Sequence, residues 1–249
     1  MQILTLLFVG AVGGFLSGLL GIGGGVVLIP LLISVGHASI KMAASVSIVV
    51  IVFASSFGSF AHYGRGNLHV PTGIWMGLAG IGGALGGSLF SDVFPEDFFY
   101  YLYMGLITVA ATMLVFRPQQ ELAPPEEYQL RKPQTVLVGL LKGFVTGVLG
   151  IGGSFIVIPL MIYSLGMPIH KAVGTSLVVT LFSAVAGLLG KIAIGHFDLQ
   201  MMVWVVLGTI PATQIGVWGA QRSGPRFLRL SLLMLLIGIL IWMIWHVIL

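Results

Sequence analysis

Cysteine is absent from the 249-residue sequence and charge is scarce: 11 Lys and Arg and 7 Asp and Glu together make up 7% of the chain. Without a thiol there is no disulfide, no thiolate metal site and no cysteine nucleophile. A soluble domain carries about 25% charged residues. Here 57% of residues are apolar and the mean hydropathy is +1.10, which excludes a soluble globular domain and indicates an integral membrane protein partnered by the lipid bilayer. No basic run is interleaved with aromatics, so nucleic-acid binding is excluded, and the net charge of +4 reads as basic loops flanking membrane spans. H-E-x-x-H and His/carboxylate clusters are missing, so neither a metal nor another cofactor is expected. The first twenty residues lack a basic n-region and an A-x-A-like site, which predicts a retained membrane segment rather than a cleaved signal.

What the chain has instead is apolar length. Segments fall at 3–20, 26–36, 42–61, 70–90, 98–116, 134–149, 155–166, 172–194, 199–219 and 227–248. A bilayer core needs about 20 helical residues. The segments at 26–36 and 155–166 reach about half that far, and each carries an early proline, Pro30 or Pro159. One long polar stretch, 117–133, is rich in Pro, Glu and Gln and predicts an exposed linker. It divides the chain into a membrane repeat at 1–116, the linker, and a second membrane repeat at 134–249.

The halves are copies. Residues 14–33 align with 143–162 at a fixed offset of 129, with twelve of twenty positions identical and no gap. The best-preserved part is Gly21-Ile22-Gly23-Gly24 against Gly150-Ile151-Gly152-Gly153, a poor choice for continuous helix. Charge then sets topology. With five crossings per half, or a re-entrant pair plus three, Arg65, Arg117, Arg131, Lys132, Lys171, Arg222, Arg226 and Arg229 oppose Lys41 and Lys191, with Lys142 set aside because it lies inside a segment. Four crossings per half divide the cations evenly. The positive-inside rule favours the first arrangement. An odd half followed by its copy must be inverted, so the expected fold is an all-α polytopic membrane protein of two inverted repeats, five apolar segments each, with short broken or re-entrant helices at the glycine stretches. Both termini are expected outside the cytoplasm and the linker inside it.

Irregular backbone survives in a membrane only where it is buried in protein or lines a wet cavity. Two breaks related by inversion meet near the midplane, and the helix after each break points free N–H groups and a positive dipole end at that place. The pattern predicts an anion cradle formed by the amides of Gly23, Gly24, Gly25, Gly152, Gly153 and Ser154. The competing reading is that the glycines only permit close helix crossing, the role assigned to Gly73/Gly77 and Gly83/Gly87. Hydroxyls recur in pairs: Ser17 with Thr146 and, after a one-residue insertion, Ser45 with Thr175, the latter two expected as side-chain donors. Gln214, three residues after Pro211, is expected as a buried amide facing the cavity. Ionisable residues inside a membrane are functional suspects: His62 and Lys191 share one repeat position near segment ends, where interfacial anchoring competes with a part in proton coupling or gating. Lys41 and Lys171 begin their segments and read as snorkelling or gating cations. Alanine at Gly24 or Gly153 is expected to keep the fold while closing the site, provided neither glycine has positive φ.

The duplicated Gly-x-Gly-Gly break with its apolar run and proline, together with the stretches 170–176 and 211–216, resembles the TauE/SafE sulfite exporter family of membrane permeases. The resemblance spans essentially the whole chain and departs at Ala44-Ser45-Val46, which stands where the second half has Gly174-Thr175-Ser176. It implies carriage of a small sulfur-containing oxyanion such as sulfite or an organosulfonate, typically as export across a cell (inner) membrane. Beside this secondary transporter stand an anion channel using the same cradle, an intramembrane enzyme built on Ser154, and a structural membrane subunit. With no histidine paired to Ser154, no enzymatic activity is expected.

Overall fold

The computed structural model describes residues 2–36, 38–116, 132–194 and 198–247; His37, His196 and most of the 117–133 linker lie outside them. Each apolar segment forms a helix: α1 (Gln2–Leu20), α2 (Gly25–Ser34), α3 (Ile40–Tyr63), α4 (Val70–Phe90), α5 (Glu96–Phe116), α6 (Lys132–Leu149), α7 (Ser154–Leu165), α8 (Ile169–Ile194), α9 (Leu199–Arg222) and α10 (Pro225–Val247). α6 starts two residues inside the expected linker. Among the described residues, seven helices are long and apolar enough to cross a membrane, whereas α2, α7 and the apolar part of α6 (Gln134–Leu149) are shorter. This is the all-helical, multi-pass architecture the hydropathy predicts.

Glycine determines which helices touch. Gly10, Gly14 and Gly18 form one stripe of α1, and a β-carbon on them would lie 2.0, 2.4 and 2.2 Å from the carbonyl oxygens of Val205, Thr209 and Thr213 on α9. At the same offset of 129, Gly139, Gly143 and Gly147 of α6 meet the carbonyls of Met76, Gly80 and Ala84 on α4 at 2.5, 2.1 and 2.2 Å. Each repeat's first helix thus lies in backbone contact with, and parallel to, the fourth helix of the other repeat. This is small-residue packing of the kind membranes favour, since lipid tails offer no hydrophobic drive to bring helices together. Gly83 and Gly87 complete the α4–α6 seam against Leu140 and Phe144, and Gly77 admits the Phe182 ring of α8. The third helices, α3 and α8, cross at the centre with opposite sense: Gly58 meets Leu177, Gly187 meets Ile48, and Gly174 meets His62.

The prolines have a structural consequence. Pro30 has no N–H for the carbonyl of Val26, one turn back. The phenol of the fully buried Tyr103 in α5 donates to that carbonyl instead, which fixes the short α2 against α5.

Candidate functional site

Each break is a chain of left-handed glycines. Gly21, Gly23 and Gly24 have φ of 70°, 77° and 82°, and Gly150, Gly152 and Gly153 have 66°, 77° and 62°. A side chain is strained at these angles, which explains why glycine recurs in a contiguous run rather than along one helix face. It also corrects an expectation: alanine at Gly24 or Gly153 meets positive φ, and at Gly24 its β-carbon would stand 3.0 Å from the Gly13 carbonyl oxygen. Such variants lose stability whatever the glycines bind. The chain turns back at the break, so that Gly24 lies beside Gly13 and Ser17 of the preceding helix.

The two breaks are in contact. A β-carbon on Gly23 would lie 3.1 Å from Thr180 Cγ2 and 3.5 Å from Ile51, and one on Gly152 would lie 3.2 and 3.6 Å from the same two residues. Gly25 abuts the Ile151 backbone. The N-termini of α2 and α7 are therefore brought together beside Thr180. Neither N-cap, Gly24 or Gly153, has a side chain to cap its helix. The first amides to find the cap carbonyls are Val27 on Gly24 at 3.0 Å and Ile156 on Gly153 at 3.3 Å. The amides before them are the donors a helix start leaves free.

Hydroxyls surround this point, all buried. Ser154 donates to Thr180, which donates to the Ser176 carbonyl at 2.7 Å; Ser176 Oγ reaches the carbonyl of Gly21 at 2.9 Å. In the first half two hydroxyls are left over. Ser17 Oγ and Ser47 Oγ are fully buried and have no hydrogen-bond partner among the described residues. Ser17 flanks Gly24, and a β-carbon on Gly25 would lie 2.8 Å from Ser47 Oγ. Two unpartnered buried hydroxyls beside an uncapped helix start form a donor set that suits a small oxyanion.

The remaining expected residues are placed differently. Gly21 meets the carbonyl of Val173, and Gly150 that of Ala44, so the third helices also superpose at offset 129 with no insertion. Ser47 then pairs with Ser176 and Ile51 with Thr180; the pairings Ser45/Thr175 and Lys41/Lys171 were one residue out of register. Ser45 bonds the Lys41 carbonyl at 3.1 Å, and Thr175 Oγ1 accepts from the His69 amide at 2.9 Å, neither bond being to a residue of the breaks. Gln214 is exposed on α9, its amide nitrogen 3.4 Å from the Phe57 carbonyl. His62 and Lys191 are buried within the protein: His62 Nε2 lies 3.4 Å from the Gly18 carbonyl with Nδ1 unpartnered among the described residues, and Lys191 Nζ is 2.8 Å from Ser91 Oγ. Lys41 is half-buried, its ammonium 5.9 Å above the Phe99 ring. Lys171, also half-buried, lies near His69, and its charge, after the larger effect of burial, keeps the His69 imidazole below its ordinary pKa.

Paired half-length helices starting from glycine breaks in a duplicated multi-pass bundle are the layout of transporters with discontinuous helices. Residues 6–243 match the family described as Sulfite exporter TauE/SafE, and the chain belongs to that family. Among relatives, "Probable membrane transporter protein YdhB" of Bacillus subtilis is 32% identical over 82% of this chain and 84% of its own length. A "Probable membrane transporter protein" of Xylella fastidiosa is 27% identical over 95% of this chain and 93% of its own. One from Methanocaldococcus jannaschii is 22% identical over 91% and 90%. No solved structure matches. The protein is a membrane transporter, in a family of transporters rather than enzymes.

Proposed function

We propose that the protein is a secondary transporter exporting a small sulfur-containing oxyanion, sulfite or an organosulfonate, held near the membrane midplane between the two breaks. The observation that carries this is the pair of uncapped helix N-termini beside the unpartnered hydroxyls of Ser17 and Ser47. Amides at Gly23, Gly24, Gly25, Gly152, Gly153 and Ser154 are the backbone donors. The opposed sense of α3 and α8, and the exchange of α1 and α6 between halves, support two inverted repeats that rock against each other for alternating access. Vesicles carrying the purified protein and loaded with unlabelled sulfite should accumulate labelled external sulfite by counterflow. Current without counterflow would instead identify an anion channel.

Inverted halves in the inner membrane put the termini and the 91–97 loop outside and the linker in the cytoplasm. The cysteine-free chain makes the check direct: single cysteines at 94 and 124, labelled on intact cells, should react at 94 only. Reaction at 124 with 94 protected contradicts the topology.

His62 and Lys191, symmetry-related and buried, are the proposed proton-coupling pair. Lys191→Met or His62→Gln should flatten the pH dependence of sulfite flux in the same vesicles; an unaltered pH profile in both assigns them to helix packing.

A further inference from the structure

Lys142 lies in the middle of α6, only 5% exposed. Its repeat counterpart is Gly13, so the cation exists on one side of the pseudo-symmetric site alone. Burying an ammonium is costly unless a counter-charge accompanies it. The described hydrogen bond of Lys142 Nζ is to the Val179 carbonyl, 3.3 Å away, an oxygen that also takes the Ser183 hydroxyl at 3.0 Å. An ammonium has three donors, so this carbonyl does not satisfy it. The seven carboxylates of the chain, Asp92, Glu96, Asp97, Glu121, Glu126, Glu127 and Asp198, all fall outside α2, α3, α6, α7 and α8, the helices around the breaks.

Its stem runs over the second break: a β-carbon on Gly153, the N-cap of α7, would lie 3.3 Å from Lys142 Cγ and 3.6 Å from Cε. Val179, its partner, adjoins Thr180, where the breaks meet. The lysine and the positive end of α7 are thus neighbours in a buried setting, and two like charges so placed are each stabilised by the same third group, an anion.

We propose that Lys142 supplies the counter-charge of the small oxyanion held at the α7 N-terminus, making the site electrostatically one-sided. This rests on the anion-transport reading. The site then distinguishes charge rather than shape: a monoanionic sulfonate is taken, and a neutral sulfone of nearly equal size is refused.

Methanesulfonate and dimethyl sulfone are suitable probes, measured by equilibrium binding to the purified full chain. Wild-type protein should bind methanesulfonate at least tenfold more tightly than the sulfone. Lys142→Met, which keeps the stem's volume and removes a buried charge, a change proteins often tolerate, should weaken methanesulfonate at least tenfold and leave the sulfone unchanged. Methanesulfonate affinity within twofold of wild type in Lys142→Met, with Ser47→Ala still weakening it, overturns the lysine's role while the site at the breaks stands. Equal wild-type affinity for the two probes also overturns it, whether or not the variant folds. A wild-type protein that binds neither, nor sulfite, rejects the transport reading and the lysine's role with it.

Discussion

Alanine at Gly143 should lower the protein's melting temperature. The added carbon would stand 2.1 Å from the Gly80 carbonyl oxygen and 2.8 Å from Gly80 Cα. Both are backbone atoms, so no rotamer change relieves the contact and α4 or α6 must move as a body. Helix propensity opposes this, since alanine is about 1 kcal/mol better than glycine in a helix interior. Overpacking typically costs about 1–3 kcal/mol, and here a rigid seam of three successive glycines has to open, so the clash dominates. Gly14→Ala on the other seam meets Thr209 O at 2.4 Å and Cα at 2.8 Å and should behave alike. Gly86→Ala and Gly105→Ala, whose β-carbons meet nothing within 4 Å, should keep or raise the melting temperature. Thermal unfolding of the detergent-purified variants measures all four; a Gly143→Ala protein as stable as Gly105→Ala would contradict the seam.

The duplication was legible because a gapless run of twelve identities in twenty includes residues with few substitutes: glycines at positive φ and a proline inside a short helix. The helix inventory followed from hydropathy, and the family resemblance proved correct. What escaped the sequence was orientation. Successive helical residues point about 100° apart, so matching Lys41 to Lys171 by residue type shifted the third helices by one residue and paired Ser45 with Thr175 where the fold pairs Ser47 with Ser176. Periodicity also could not separate the glycines of the seams from those of the breaks, because only backbone angles distinguish Gly14 and Gly18 from Gly21, Gly23 and Gly24. Lys142 was set aside as a charge inside an apolar segment, although an intramembrane cation without a carboxylate on neighbouring helices was itself a signal. The burial of His62 against Gly18 and of Lys191 against Ser91 was not legible from their places near segment ends.

Removing the unpartnered hydroxyls should separate binding from stability. A buried polar group without a partner costs about 1–3 kcal/mol, so Ser17→Ala and Ser47→Ala relieve the empty protein of a penalty. With an anion at the α2 N-terminus the same hydroxyls become charge-assisted donors, each contributing about 1.5–3 kcal/mol, or roughly ten- to a hundredfold in affinity. Packing roles for these serines predict the opposite pairing: stability falls or stays, and affinity is untouched. Glycine variants at the breaks cannot make this distinction, because positive φ strains any substitute.

The direct measurement is the thermal shift that sulfite produces in the Ser17→Ala/Ser47→Ala double variant beside wild type, since a ligand bound only to the folded form stabilises it by RT ln(1 + [L]/Kd). The anion site at the breaks predicts a melting temperature without sulfite equal to or above wild type, and a sulfite-induced rise that disappears across concentrations that shift the wild-type protein. A double variant that melts as wild type does and keeps the full sulfite shift would place the anion elsewhere and contradict the account.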